Sequence, residues 1–160
     1  MKITDTETIE TTLKQPVEST LAGSMSLQSD SKLGERLPLR ILVAEDNLVN
    51  QKLLLQVLKR LGYSADIANN GLEVIELLHR QPYDVILMDV QMPEMDGIEA
   101  TRRICLEWGS EKRPRIIAVT ANTVNGHREM CLEAGMDDYL SKPLRKEELC
   151  QALAKCQFIR

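Results

Sequence analysis

Apolar positions along this chain fall into two alternating kinds of run. Short stretches rich in Val, Ile, Leu and Ala occupy residues 39–45, 64–68, 83–89, 115–120 and 138–141. Each is followed by a longer stretch, at 47–61, 71–81, 98–108, 124–134 and 145–156, in which apolar residues return every three or four positions. A near-continuous apolar run predicts a strand covered on both faces, whereas the three-to-four-residue return predicts a helix with one buried stripe. Five such pairs in succession predict an α/β fold around a parallel sheet. The first, third and fourth runs are the most continuous, which places those strands at the sheet centre. Gly62 and Gly135 stand where a left-handed residue would end the first and fourth helices, and Asp46 stands where a side-chain cap would open the first.

Residues 1–37 do not share this pattern: they are rich in Ser and Thr and lack aromatics, and the apolar run begins abruptly after Pro38. Ile9, Leu13, Val17 and Leu21 recur every four residues, but Pro16 interrupts the helix they would form. The reading is a flexible polar N-terminal tail or linker over 1–37 and one folded domain over 38–158. The short stretch after the fifth predicted helix leads us to expect no DNA-binding output domain there.

Composition changes the picture only by exclusion. Of 160 residues, 43% are apolar and 28% charged, enough to build a core and far from the composition of a disordered chain. Lys and Arg number 20 against 24 Asp and Glu, a net charge of −4, the wrong sign for a phosphate-backbone binder, and aromatics at 3% offer few platforms for stacking bases. No apolar run nears the roughly 18 residues of a membrane span, and the N-terminus lacks a secretory pattern, so a cytoplasmic location without membrane insertion is expected. Cys105, Cys131, Cys150 and Cys156 show no C-x-x-C spacing and read as reduced thiols within helices.

In a doubly wound parallel sheet, ligands sit beyond the carboxyl ends of the strands. At those ends the predicted elements place Glu45 and Asp46, Asp89, Thr120 and Lys142. Carboxylates brought this close repel by roughly 4 kcal/mol per pair unless a cation or a proton intervenes. Oxygen ligands without His or Cys select a hard ion, and few carboxylates with open positions suit Mg²⁺, with Mn²⁺ as a substitute, shared with a phosphate. Asp89 is then the candidate nucleophile toward phosphorus, with Lys142 and Thr120 as partners of the phosphoryl oxygens.

Four ordered motifs carry a resemblance. Ala44-Glu45-Asp46-Asn47, the run Met88-Asp89-Val90-Gln91-Met92-Pro93-Glu94-Met95-Asp96-Gly97, Val119-Thr120-Ala121 and Tyr139-Leu140-Ser141-Lys142-Pro143 resemble the receiver domains of two-component response regulators. Asp46-Asn47-Leu48-Val49-Asn50-Gln51 makes the likeness closest to receivers of hybrid sensor histidine kinases. The resemblance implies a flavodoxin-like (βα)5 fold with strand order 2-1-3-4-5. It implies Asp89 as phosphoacceptor, Asp46 as a direct Mg²⁺ ligand, Glu45 as a ligand through water, and the Gln91 backbone carbonyl as a further metal contact. Thr120 and Lys142 would bind the phosphoryl group, Thr120 and Tyr139 would move on activation, Lys142–Pro143 would be cis, and Gln91 and Asn122 would flank the hydrolytic water.

The same resemblance implies a phosphoacceptor that assists its own phosphorylation and dephosphorylation rather than an enzyme, within a histidine kinase if the parent chain is a hybrid. A histidine kinase or phosphotransfer domain would dock near the first helix, and the fourth helix, fifth strand and fifth helix would form a dimer surface. His79 and His127 read as solvated surface residues, so the phosphodonor histidine belongs to a partner. Two bland roles stand beside the chemistry: Asp96-Gly97 as a turn, and Met92 and Met95 as loop packing. The competing readings are a degenerate receiver acting as an interaction module, an Asp-nucleophile phosphatase, which needs a second Asp where this chain has Gln91, and a flavin binder, whose phosphate Glu45-Asp46 would repel.

Overall fold

Residues 33–121 and 126–156 are described by a computed structural model. Five strands, β1 (Ile41–Ala44), β2 (Ala65–Ala68), β3 (Val85–Met88), β4 (Arg115–Thr120) and β5 (Asp138–Ser141), alternate with helices α1 (Leu48–Arg60), α2 (Gly71–Arg80), α3 (Gly97–Lys112), α4 (His127–Ala134) and α5 (Lys146–Ala154). The strands pair in parallel in the order β2-β1-β3-β4-β5. This is the doubly wound, flavodoxin-like α/β fold. The order reverses beside β1, so the crevice between β1 and β3 is the switch point at which such sheets bind ligands.

Alternation along the strands divides the core into two layers. Leu42, Ala44, Ile86, Met88, Ile116 and Ala118 face α2, α3 and α4. Ile41, Val43, Val85, Leu87, Ile117 and Val119 face α1 and α5, where Leu54, Leu58, Leu149 and Leu153 meet them. Every residue of β1 and β3 is buried, as strands covered on both faces must be. Full burial of a side chain such as Leu58 contributes roughly 1.5–3 kcal/mol, and these two layers hold the sheet rigid beneath its loops.

Two features differ from the sequence reading. The folded part starts before Pro38: Leu33–Arg36 forms a helical turn, Leu33 is 6% exposed in the α1 layer, and the Gly34 N–H donates to the Leu61 carbonyl at 2.8 Å. One buried leucine among polar neighbours gave no periodic signal. Helix α3 is regular to Trp108, as read; Gly109 takes φ 75 and ψ 168 and kinks the chain before a short helical continuation to Lys112. The first helix is capped by Asn47, whose side chain accepts from the Asn50 N–H at 3.0 Å, and not by Asp46. Gly62 and Gly135 do take the left-handed conformation, with φ 94 and 116. Among the described residues no helix is long and apolar enough to cross a membrane.

Candidate functional site

Each candidate side chain is carried by a strand that ends in the same direction. The ladder extends one residue past β1 and β3, where the Glu45 N–H donates to the Ala68 carbonyl at 3.0 Å and the Asp89 N–H to the Ala44 carbonyl at 2.9 Å. These bonds fix the backbone of both acids against rigid neighbours. Asp46 follows Glu45 into the exposed loop, and carboxylate oxygens of Glu45, Asp46 and Asp89 lie within 4.8 Å of one another. Glu45 is 1% exposed and Asp89 8%, so two of the three charges are out of bulk water.

Lys142 enters from the loop after β5. Its N–H donates to the Thr120 carbonyl at 2.9 Å, and its peptide bond to Pro143 is cis. Lys142 Nζ donates to Glu45 Oε1 at 2.6 Å and to Asp89 Oδ2 at 3.4 Å. The Gln91 N–H donates to Asp89 Oδ1 at 3.3 Å, and the Asn47 N–H to Glu45 Oε2 at 3.1 Å. The Asp89 backbone is pressed by α3, because a Cβ on Gly97 would lie 2.3 Å from the Asp89 carbonyl oxygen, an approach only glycine permits. Asp96 caps that helix through the Glu99 N–H at 2.8 Å, and Met95 packs into the core beneath, with Met92 against it.

The electrostatics separate the two buried acids. Burial, and then the Glu45 charge, push the Asp89 carboxyl up to about 6 against an ordinary 3.8, with Lys142 opposing. Burial also pushes Glu45 upward, but hydrogen bonds from Lys142 and the Asn47 N–H outweigh it and hold the carboxyl below its usual range. Burial opposes charge on Lys142, yet bonds to Glu45 and Asp89 raise its pKa. The single ammonium therefore serves Glu45 first and leaves Asp89 under-compensated. Three hard oxygen donors facing one opening, with one lysine for three negative charges, fit a divalent ion of the Mg²⁺ type.

The remaining candidates fall nearby or out of reach. Thr120 ends β4 and is 2% exposed. Tyr139 stands on β5 opposite Ala118 of β4, with Thr120 opposite Ser141. Asn122 lies outside the described residues. His79 is exposed, as read, and pairs with Glu107. His127 is a correction: it is 9% exposed and lies edge-on to Tyr139. Among the described residues α4 starts at His127, so the residue opens the helix over the sheet face that carries Tyr139; position 124, where the reading began this helix, lies outside the described residues.

One supporting residue was missed. Gln51, 7% exposed, donates from Nε2 to the Glu45 carbonyl at 2.6 Å and to Asn69 Oδ1 at 2.9 Å, tying the acidic turn to the loop after β2. Its signal was an amide at a position of α1 otherwise facing the core. Beside the acids, a groove of about 540 Å³ runs between Leu53, Leu54 and Val57 of α1 and Lys142, Pro143 and Leu144.

Comparison with known proteins agrees with this geometry. Residues 41–154 match the family described as response regulator receiver domain. Histidine protein kinase 1 of Candida albicans is 46% identical over 134 residues, covering 78% of this chain and 5% of that relative. Hybrid signal transduction histidine kinase G of Dictyostelium discoideum is 42% identical over 122 residues, covering 75% of this chain and 4% of that relative. The chain thus spans a small part of the curated relatives it matches. The receiver domain of a Pseudomonas aeruginosa sensor histidine kinase, crystallised with a magnesium ion coordinated in its active-site cleft, is 43% identical with a TM-score of 0.67, covering 73% of this chain and 95% of that one.

Proposed function

This chain belongs to the response regulator receiver domain family of two-component signalling, and from that membership we propose that Asp89 accepts a phosphoryl group from a partner's phosphohistidine. A carboxylate oxygen of Asp89 attacks phosphorus, the new O–P bond forms as the P–N bond breaks, and the electron pair of that bond stays on the imidazole nitrogen. The observation that carries this reading is the asymmetry of the site: Lys142 lies 2.6 Å from Glu45 but 3.4 Å from Asp89, so one oxygen-rich acid is left without full compensation at the strand end.

Glu45, Asp46 and Asp89, with the Gln91 carbonyl on the same turn, would hold Mg²⁺. When bound, the ion neutralises the approaching phosphoryl oxygens and the carboxylate cluster. Lys142 turns toward the new oxygens as Asp89 loses its own charge to the acyl phosphate, and the Thr120 hydroxyl donates to another of them. Rearrangement of Thr120 and Tyr139 would then carry the signal to the surface of α4, β5 and α5, where a second copy or an output partner would bind.

The donor would approach along α1, where Leu48, Val49 and Leu53 are 68%, 66% and 56% exposed. That apolar face leads into the groove ending at Lys142, which suits a helical partner presenting its histidine to Asp89. The relatives suggest a receiver within a hybrid kinase or phosphorelay.

Intact mass after incubation with acetyl phosphate and Mg²⁺ tests the reading. The expected result is a gain of one phosphoryl group, lost in EDTA and in Asp89→Asn. Labelling that survives Asp89→Asn would overturn the site. If neither acetyl phosphate nor a phosphorylated histidine domain labels the chain, it acts as a degenerate receiver and an interaction module.

A further inference from the structure

His127 opens α4 with a ring nitrogen that nothing in the site chemistry uses. The residue is 9% exposed, and its Nε2 is buried without a hydrogen-bond partner among the described residues. Its ring meets Tyr139 edge to face, with centroids 6.3 Å apart and planes at 74°. Gly126 before it is left-handed, φ 89, and α4 has no side-chain cap. Among the described residues no side-chain capping bond fixes this helix start. Tyr139 is opposite Ala118, two residues from Thr120 on the same strand, so Tyr139 and Thr120 stand on one sheet face, the face α4 covers.

Two opposed effects meet at this contact. Edge-to-face packing favours the present position of the Tyr139 ring. A buried, unpaired ring nitrogen disfavours it, because any rearrangement that gives Nε2 water or a partner recovers the lost hydrogen bond. We propose that His127 is a positioning residue for Tyr139: its ring seats the tyrosine, and its unpaired nitrogen keeps that seat shallow, so that the helix start and the tyrosine exchange packing when Asp89 is modified. This rests on Asp89 being the phosphoacceptor and Tyr139 its switch.

The full chain carrying fluorotyrosine tests it by fluorine NMR, with the Tyr139 signal assigned by Tyr139→Phe. Beryllofluoride with Mg²⁺, which mimics a phosphoryl group on a carboxylate, is titrated while that signal is followed. His127→Phe keeps the ring and removes the nitrogen, and should raise the half-shift concentration about fivefold. His127→Gln keeps a polar group and removes the ring, and should move the unliganded Tyr139 signal toward its liganded position and lower the half-shift concentration. Loss of packing alone would move both variants the same way.

Midpoints that shift together, or a His127→Phe chain that titrates like wild type, overturn the proposal. If His127→Phe lacks a cooperative thermal transition, His127→Gln decides alone, and an unmoved unliganded signal overturns it. Wild type that responds while Asp89→Asn does not leaves the receiver reading intact whichever way the His127 variants fall. Wild type with no response removes both.

Discussion

Asp89 and Glu45 show how one lysine can assign different states to two neighbouring acids. Lys142 is closer to Glu45, and Asp89 is left with a carboxyl raised to about 6 by burial and by the Glu45 charge. An acid whose folded value lies above its unfolded one binds protons more tightly when folded, so its stability contribution falls as pH rises from 3.8 through about 6 and stays lost above. In the metal-free state near about pH 8, Asp89→Asn should therefore melt higher than wild type, by roughly 1–3 kcal/mol. Mg²⁺ should stabilise wild type more than the variant and narrow the gap. Thermal melts in EDTA and in Mg²⁺ check both halves; a variant less stable than wild type in EDTA would mean that Asp89 is structurally paired rather than poised.

All five strands were legible as short apolar runs, including the half-buried β5. β4 and β5 span 115–120 and 138–141 as read, while the first and third strands are shorter because Arg40, Glu45 and Asp89 continue the chain with one-sided bonds. What the pattern could not show was contact between elements distant in sequence. Arg113, just beyond α3, holds Asp137, just before β5, through Nη1 at 2.7 Å and Nη2 at 2.9 Å, and the Ile116 N–H donates to the same carboxylate at 2.8 Å. Gln51 and His127 escaped for the same reason, since a side chain's burial depends on what packs over it. Burial pushes Asp137 upward, but the Arg113 bonds and the Ile116 N–H hold it below the ordinary carboxylate range. Its stabilisation is present above the unfolded value and lost as pH falls through the folded one. Asp137→Asn should cost roughly 1–3 kcal/mol at neutral pH, and the difference should shrink below about pH 4 in denaturant melts.

At the scale of the molecule, the sheet separates chemistry from recognition. The acids, Lys142 and Thr120 stand at the strand ends above the two buried layers, and α1 borders them with a leucine that neither layer needs: Leu54 and Leu58 face the core, whereas Leu53, 56% exposed, faces the groove. An aliphatic residue at the centre of a docking face contributes through burial against its partner, so replacing it with a charge weakens association without touching the reacting atoms. A small donor needs only the site; a protein donor needs the face as well. Leu53→Asp should therefore leave labelling by acetyl phosphate within about twofold of wild type and slow transfer from a phosphorylated histidine phosphotransfer domain by about tenfold or more. The ratio of the two rates isolates docking from chemistry. Equal losses with both donors would place Leu53 in the stability of α1, and equal retention would move the protein donor to another face of the fold.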